Sequence, residues 1–340
     1  MKDMKENKEF IYYPIIVYTL NRYEHFRRLV ESLQKNTDAD KTELVIGLDY
    51  PPSEKYREGF EKIRDYLPTI SGFKKVTIFT SEKNLGPYKN EMRLINYVKE
   101  LGYDATIGTE DDNEFSPNFI QYMNWALNRY REDKSIYAIC GFNKLDTSGV
   151  KGNVFKLNKI FAGWGVGQWF DRREKVAPYR DLYYQKEILD NMPFYIIFSK
   201  KIYKANAILG MLYGGWPYGD TIPMFLPDEE RWCVFPTISK VRNWGQDDSG
   251  MHGGSVTRFE EYSTMPIDQS PIFEGDNHDD IFSPIMEKRF NAVYKKSFSS
   301  YVKSVFKYLV YKMTGKVLVA KYSSKWLHIR LESLKLPNEQ

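Results

Sequence analysis

Through its first 115 residues the chain alternates short apolar runs with amphipathic stretches, and this alternation constrains the fold more than any other feature. Pro14-Ile-Ile-Val-Tyr-Thr-Leu20 is almost wholly apolar, as a strand buried on both faces of a sheet must be. Tyr23 to Asn36 follows with Phe26, Leu29, Val30 and Leu33 at helical spacing. Strands are expected at Glu43–Leu48, Lys75–Phe79 and in the run from Asp104 to Thr109, with helices at Pro51–Tyr66 and Glu91–Leu101 between them. Such a chain closes into an α/β fold, a parallel sheet with helices on both sides and right-handed crossovers. Further on, the pattern predicts a helix from Asn118 to Tyr130, a strand at Ile136–Cys140, a helix at Lys200–Tyr213 and a strand at Val234–Val241.

In sheets of this kind ligands bind outside the carboxyl ends of the strands. Asn21-Arg22, Asp49, the loop from Asn84 to Asn90 and the triplet Glu110-Asp111-Asp112 all fall at those ends. Three adjacent carboxylates repel one another unless something cationic lies between them. Two readings fit the triplet. One is a site for Mn²⁺ or Mg²⁺, which takes one or two protein carboxylates plus substrate phosphates. The other is a solvated acidic turn leading into the helix that Ser116-Pro117 introduces. The first turn, Tyr-Thr-Leu-Asn-Arg, holds no dinucleotide fingerprint, and GxxxxGK[ST] is absent, which argues against a dehydrogenase or a P-loop phosphotransferase.

The 340 residues allow one large domain or two smaller ones. Surplus aromatics, with 26 Tyr and 7 Trp, suit sites that hold sugars or bases as well as core. Cys140 and Cys233 lie in apolar stretches and read as reduced core residues of a cytoplasmic protein. No signal-peptide core and no run of ~20 apolar residues occurs. From Ile281 to Gln340 there are twelve basic and three acidic residues, a net of +9. Within this tail Phe298, Tyr301, Val302, Val305, Leu309 and Met313 recur at helical spacing between lysines. Such a helix can lie on the anionic inner face of a cytoplasmic membrane, or pack its apolar side on the body of the protein. Nucleic acid is not expected as a partner, because no reader motif accompanies the charge.

Two glycine-rich segments invite close ligand approach: Phe161-Ala-Gly-Trp-Gly-Val-Gly-Gln-Trp169, and the polar loop Asn243–Gly254, which could act as a lid. Asp247 and Asp248 in that loop form a rival acidic pair for a metal.

On these residues, roughly 12–255, the chain resembles the GT-A-fold nucleotide-sugar glycosyltransferases, and within them the inverting N-acetylglucosaminyltransferase I type and its bacterial relatives. Glu110-Asp-Asp-Asn-Glu-Phe-Ser-Pro-Asn-Phe119 resembles that family's metal motif, and Pro236-Thr-Ile-Ser239 with the preceding Pro227 to Cys233 resembles its Pro-Glu-Gln-Arg…Cys…Pro-Glu-Ile-Ser segment. The resemblance implies Asp112 as metal ligand, Arg22 and Asp49 as nucleotide contacts, and Trp164 beside the acceptor and donor sugar. It implies Asp220 as general base, although the run Trp-Pro-Tyr-Gly-Asp departs from the family's Trp-Asp-Asp-Trp. His252, with Ser249 and Gly253, resembles the loop that closes over the donor, as a phosphate or metal contact. Asp111 is expected to touch the donor sugar, Asn84 to face the nucleotide, and Glu110 to hold the turn. The implied activity is metal-dependent inverting transfer from a nucleotide-diphosphate sugar, a UDP-sugar foremost, to a glycan or lipid-linked glycan acceptor in bacterial surface polysaccharide assembly. The expected division is a catalytic domain at 1–255, with a nucleotide half at about 12–115 and an acceptor half at about 116–255, and a basic helical extension at 256–340.

Overall fold

The structure is a computed structural model and describes residues 9–214, 229, 232–250, 255–275, 284–293, 297–323 and 326–335. The strands are β1 (Ile15–Thr19), β2 (Glu43–Leu48), β3 (Lys75–Phe79), β4 (Ala105–Glu110), β5 (Asn113–Phe115), β6 (Ile136–Cys140), β7 (Val154–Asn158), β8 (Val166–Trp169), β9 (Trp232–Pro236), β10 (Val241–Asn243), β11 (Val317–Ser323) and β12 (Trp326–Glu332). The helices are α1 (Tyr23–Gln34), α2 (Arg57–Tyr66), α3 (Gly86–Glu100), α4 (Phe119–Arg129), α5 (Phe170–Lys175), α6 (Leu182–Asn191), α7 (Ile202–Gly214), α8 (Val256–Ser263), α9 (Pro284–Val293) and α10 (Phe298–Thr314).

An eight-stranded sheet in the order β3-β2-β1-β4-β8-β6-β9-β7 forms the centre of an α/β fold, with helices on both faces. Its first four strands are all parallel, while β8 runs against β4 and β6, and β7 against β9. The two faces can be read from alternate residues of β1 and β2. Ile15, Val17, Leu44, Ile46 and Leu48 join one core cluster with residues of α1, α2 and α4. Ile16 and Val45 point the other way and join Leu94, Ile95 and Val98 of α3. The chain thus runs from β1 to β3 with its helices on one face and returns to β4 with α3 on the other. That change of side creates a crevice between the carboxyl ends of β1 and β4. The apolar stripe of α1, Phe26, Leu29, Val30 and Leu33, is wholly buried, at about 1.5–3 kcal/mol for each such side chain.

The chain divides into two compact units, residues 1–172 with 229–287, and residues 173–228 with 288–340. Residue 255, the boundary expected from sequence, therefore falls inside the first unit. In the second unit, α6, α7 and α10 pack around Leu189, Ile208, Leu212 and Tyr308. The tail contributes the helices α8, α9 and α10 and then the antiparallel hairpin β11-β12, where the expectation was a wholly helical extension.

Four other elements differ from expectation. Helix α2 begins at Arg57, not Pro51, after the single turn Glu54–Tyr56. Helix α3 begins at Gly86, not Glu91, because Pro87 stands in its first turn, where a missing N–H costs nothing, and Asp49 accepts hydrogen bonds from the N–H groups of Leu85 and Gly86. The expected strand Val234–Val241 is two strands in different sheets, β9 ending at Pro236 and β10 starting at Val241. The glycine-tryptophan segment ends in a strand, β8, with Trp169 in the core. Gly165 has φ +64°, and a Cβ there would come within 3.0 Å of Phe115, Phe119 and Val241, so glycine is required by both backbone and space. Cys140 and Cys233 are both buried free thiols on neighbouring strands, as expected.

Candidate active site

The first unit gathers its polar side chains where β1 and β4 end. Arg22 stands at the N-terminal boundary of α1, three residues after the end of β1, and its guanidinium forks between two carboxylates. Nη1 donates to Asp112 Oδ2 at 2.8 Å, and Nη2 donates to Asp111 Oδ1. Thr19 Oγ1 donates to the other oxygen of Asp111 at 2.8 Å, and Asn243 Nδ2 donates to the other oxygen of Asp112 at 2.8 Å. The cation that the acid triplet required is therefore Arg22. Burial pushes the Asp111 carboxyl up and the Arg22 charge opposes it. Burial alone would lower the Arg22 guanidinium, but the two carboxylates outweigh that effect and raise it. Glu110 reaches solvent at the outer edge and accepts from Tyr18 Oη at 3.3 Å. The protein around its carboxyl, and then the charges of Asp112 and Asp111, push that carboxyl up to about 7.

Asn243 comes to this point because β10 pairs antiparallel with β5, setting Asn243 opposite Asn113. Its amide bridges Asp112 and Asn113, at 2.8 and 3.0 Å. The loop that follows is tied to the same place. Trp244 N donates to Asp112 O at 2.8 Å and its indole donates to Glu114 at 2.8 Å, while the Arg28 guanidinium lies 3.9 Å from the Trp244 ring centre. Gly245 passes so close that an added Cβ would lie 2.0 Å from Asp112 Oδ2. Asp247 sits 2.9 Å from His25 Nε2 and accepts from Ser249. Burial would raise the Asp247 carboxyl, but the hydrogen bonds from Ser249 and the nearby His25 hold it below the usual range. The acid expected as a rival metal ligand thus holds the loop to α1.

Asp49 is buried at the end of β2, and both its oxygens are engaged. They accept from Tyr50 N, Ser81 Oγ, Asn84 Nδ2, Leu85 N and Gly86 N, at 2.8–3.2 Å. Asn84 also donates to Tyr50 O at 2.7 Å. These two residues order the turn into α3 beside the crevice. Trp164 packs edge-on against Phe142 and Tyr262, with ring centres 4.6 and 5.0 Å away. Asp220 and His252 lie outside the described residues.

Arg22, Asp111 and Asp112 are thus brought together, with Asp49 and Asn84 joined at the next strand end. Thr19 and His25 are not singled out by the sequence, and Asn243 and Gly245 enter there only as the start of the expected lid loop, not as partners of Asp112. Thr19 could have been singled out, as the last polar residue of an apolar strand. Asn243 and Gly245 depend on the β5-β10 pairing across 130 residues, which no local pattern reveals.

Asp111 and Asp112 present the oxygen donors that a hard divalent cation takes, and within the protein each accepts from Arg22 and from a second partner, Thr19 or Asn243. Asp112 offers carboxylate oxygens in an orientation fixed by Asn243, the kind of outer hydrogen bond that holds metal ligands in place. Among the described residues no group of three His, Cys, Asp or Glu side chains converges as a metal cage, so phosphate and water oxygens would have to complete such a site.

No protein-family model matches the chain, and no curated protein matches it. Among solved structures it is similar to the mannosyltransferase PcManGT from Pyrobaculum calidifontis in complex with GDP-Man and Mn²⁺, at 13% identity and a TM-score of 0.34, over 50% of this chain and 48% of that one. It is also similar to S. aureus TarS, at 13% identity and a TM-score of 0.33 over 53% of this chain and 34% of that one. For TarS 1-349 the values are 12%, 0.32, 46% and 47%. The chain spans about a third to a half of the length of these chains. Likeness this shallow leaves the functional reading to the residues themselves.

Proposed function

We propose that the chain is a GT-A-like, metal-dependent, inverting glycosyltransferase whose donor and metal are held by the first unit. It would move a hexosyl or N-acetylhexosaminyl group from a nucleotide-diphosphate sugar to a hydroxyl of a glycan or lipid-linked glycan, in bacterial surface polysaccharide assembly. The observation that carries this reading is the Arg22 fork on Asp111 and Asp112 in the crevice between β1 and β4. A crevice holding both a cation and acids can receive a diphosphate on the Arg side and a divalent cation on the acid side.

Asp112 would hold Mn²⁺ or Mg²⁺, which supplies Lewis-acid stabilisation of the departing diphosphate. Arg22, once released from the carboxylates, binds phosphate oxygens directly. Asp111, held by Thr19, would accept from a donor hydroxyl, and the turn that Asp49 and Asn84 order would border the nucleotide. Asp220, which the resemblance names, would take the acceptor proton as general base. The Asn243–Gly254 loop excludes water, and His252 contributes a phosphate or metal contact from it.

Calorimetry with a panel of nucleotide-sugars and Mn²⁺ tests the reading. Donor binding that needs the ion, and is lost in Asp112→Asn, is expected, and an Asp112→Asn variant that binds as tightly as the parent removes the metal assignment. Asp220→Asn should bind donor normally and fail to transfer it. A second reading, a silent nucleotide-sugar or glycan binder, is favoured by the engagement of both Asp112 oxygens with Arg22 and Asn243. Donor binding with neither transfer nor donor hydrolysis would select it.

A further inference from the structure

The second unit carries a surface that the catalytic reading does not use. Helix α10 has two apolar stripes. One holds Tyr308 and Tyr311 and is buried with Ile208, Leu209 and Leu212 of α7. The other, Phe298, Val302 and Phe306, repeats every four residues and faces solvent. Beside α10 runs the turn Phe194–Phe198, tied to the helix by Tyr301 Oη donating to Ile197 O and by Tyr308 Oη donating to Met192 O at 2.6 Å. Phe194, Tyr195 and Phe198 of this turn also face solvent. These six side chains are between 47% and 84% exposed, a cost in water that few isolated surface residues explain.

Charge surrounds the patch. Lys200 and Lys201 follow Phe198 after Ser199 and are exposed, and Lys303 and Lys307 lie one position round the helix from Val302 and Phe306. In sequence the second unit holds 19 basic and 8 acidic residues, a net of +11, whereas the first unit holds 30 and 37, a net of −7. Apolar rings at the centre with lysines at the margin match a lipid interface, where rings enter the acyl boundary and ammonium groups reach the anionic headgroups. Among the described residues no helix is long and apolar enough to cross a membrane. We propose that this face of the second unit docks the protein peripherally on an anionic phospholipid bilayer, through the exposed stripe of α10 and the aromatic turn Phe194–Phe198.

The proposal stands apart from the catalytic reading, and its test does not need the donor. The full chain is sedimented with phosphatidylcholine vesicles, with and without phosphatidylglycerol. Binding that appears only with phosphatidylglycerol and weakens at high salt is expected. The triple variant Phe298→Ser, Val302→Ser, Phe306→Ser should bind about tenfold or more weakly. Lys303→Glu with Lys307→Glu should lose the preference for the anionic lipid, and both variants should keep the parent's thermal midpoint. No binding to anionic vesicles, or binding indifferent to the triple variant, overturns the proposal. So does a concentration-dependent dimer that the triple variant abolishes, since the face would then join two copies, or an equal loss of binding when an oligonucleotide competes.

Discussion

Gly245 gives the sharpest handle on the site because its tolerance is set by one contact. A methyl group there would lie 2.0 Å from Asp112 Oδ2 and 2.7 Å from Asp112 Cγ, far inside van der Waals contact. Asp112 is a short side chain, and its oxygens are held at 2.8 Å by Arg22 and by Asn243. Movement of the carboxylate by about 1 Å stretches those bonds beyond useful length. If the loop moves instead, the bond from Trp244 N to Asp112 O is lost. A hydrogen bond to a charged group is worth about 1.5–3 kcal/mol, so Gly245→Ala should cost about 2 kcal/mol or more. At about 2–4 °C per kcal/mol for a unit of this size, the midpoint of thermal unfolding should fall by about 4–8 °C. Calorimetric titration with Mn²⁺ and donor should show weaker binding in the same variant, because the carboxylate no longer stands where Asn243 sets it. A Gly245→Ala protein with the parent's midpoint and donor affinity would refute the view that Asp112 is positioned by this loop.

Three further outcomes follow from the geometry. Arg22→Gln should bind Mn²⁺ alone more tightly than the parent, since a competing cation leaves Asp111 and Asp112, while donor affinity falls; titration of metal with and without donor separates the two effects. Asp49→Ala strands the donors of Ser81, Asn84, Leu85 and Gly86 and should cost ~3 kcal/mol in denaturant unfolding, whereas a residue that only touched nucleotide would leave stability unchanged. Gly210→Ala, inside α7 with nothing within 4 Å of the added carbon, should raise stability by roughly 0.5–1 kcal/mol, measured in the same way.

The local signals were strong where the chemistry is local. Strands β2 and β6 coincide with the apolar runs that announce them, because burial on both faces leaves little room for polar residues, while β3 matches its expected bounds as a half-exposed edge strand. The convergence of Arg22 with Asp111 and Asp112 was legible as a coincidence of strand ends, and parallel pairing of β1 with β4 places them side by side. What local pattern could not supply was the partner of each charge. Arg22 was read as a nucleotide contact, and its fork on the carboxylates appears only in three dimensions. Strands β5 and β10 are three residues each, too short for a period to show, yet they bring Asn243 to Asp112. The aromatic-and-lysine pattern of α10 suited both packing and surface exposure, and the helix does both, one stripe for each.

The interleaving of the two units has a consequence for how the site comes into being. The chain leaves the first unit after residue 172 and returns to it at 229, so the first half of the second unit is synthesised in between. Arg22, Asp111 and Asp112 can meet early, but Asn243 and the loop that steadies Asp112 arrive 131 residues after Asp112 itself. Until then the carboxylates have Arg22 as their counter-ion and lack the amide that aims them. The site is therefore finished by a late segment, and a chain shortened within the second unit's first stretch would lack both β9 of the central sheet and the amide that aims Asp112.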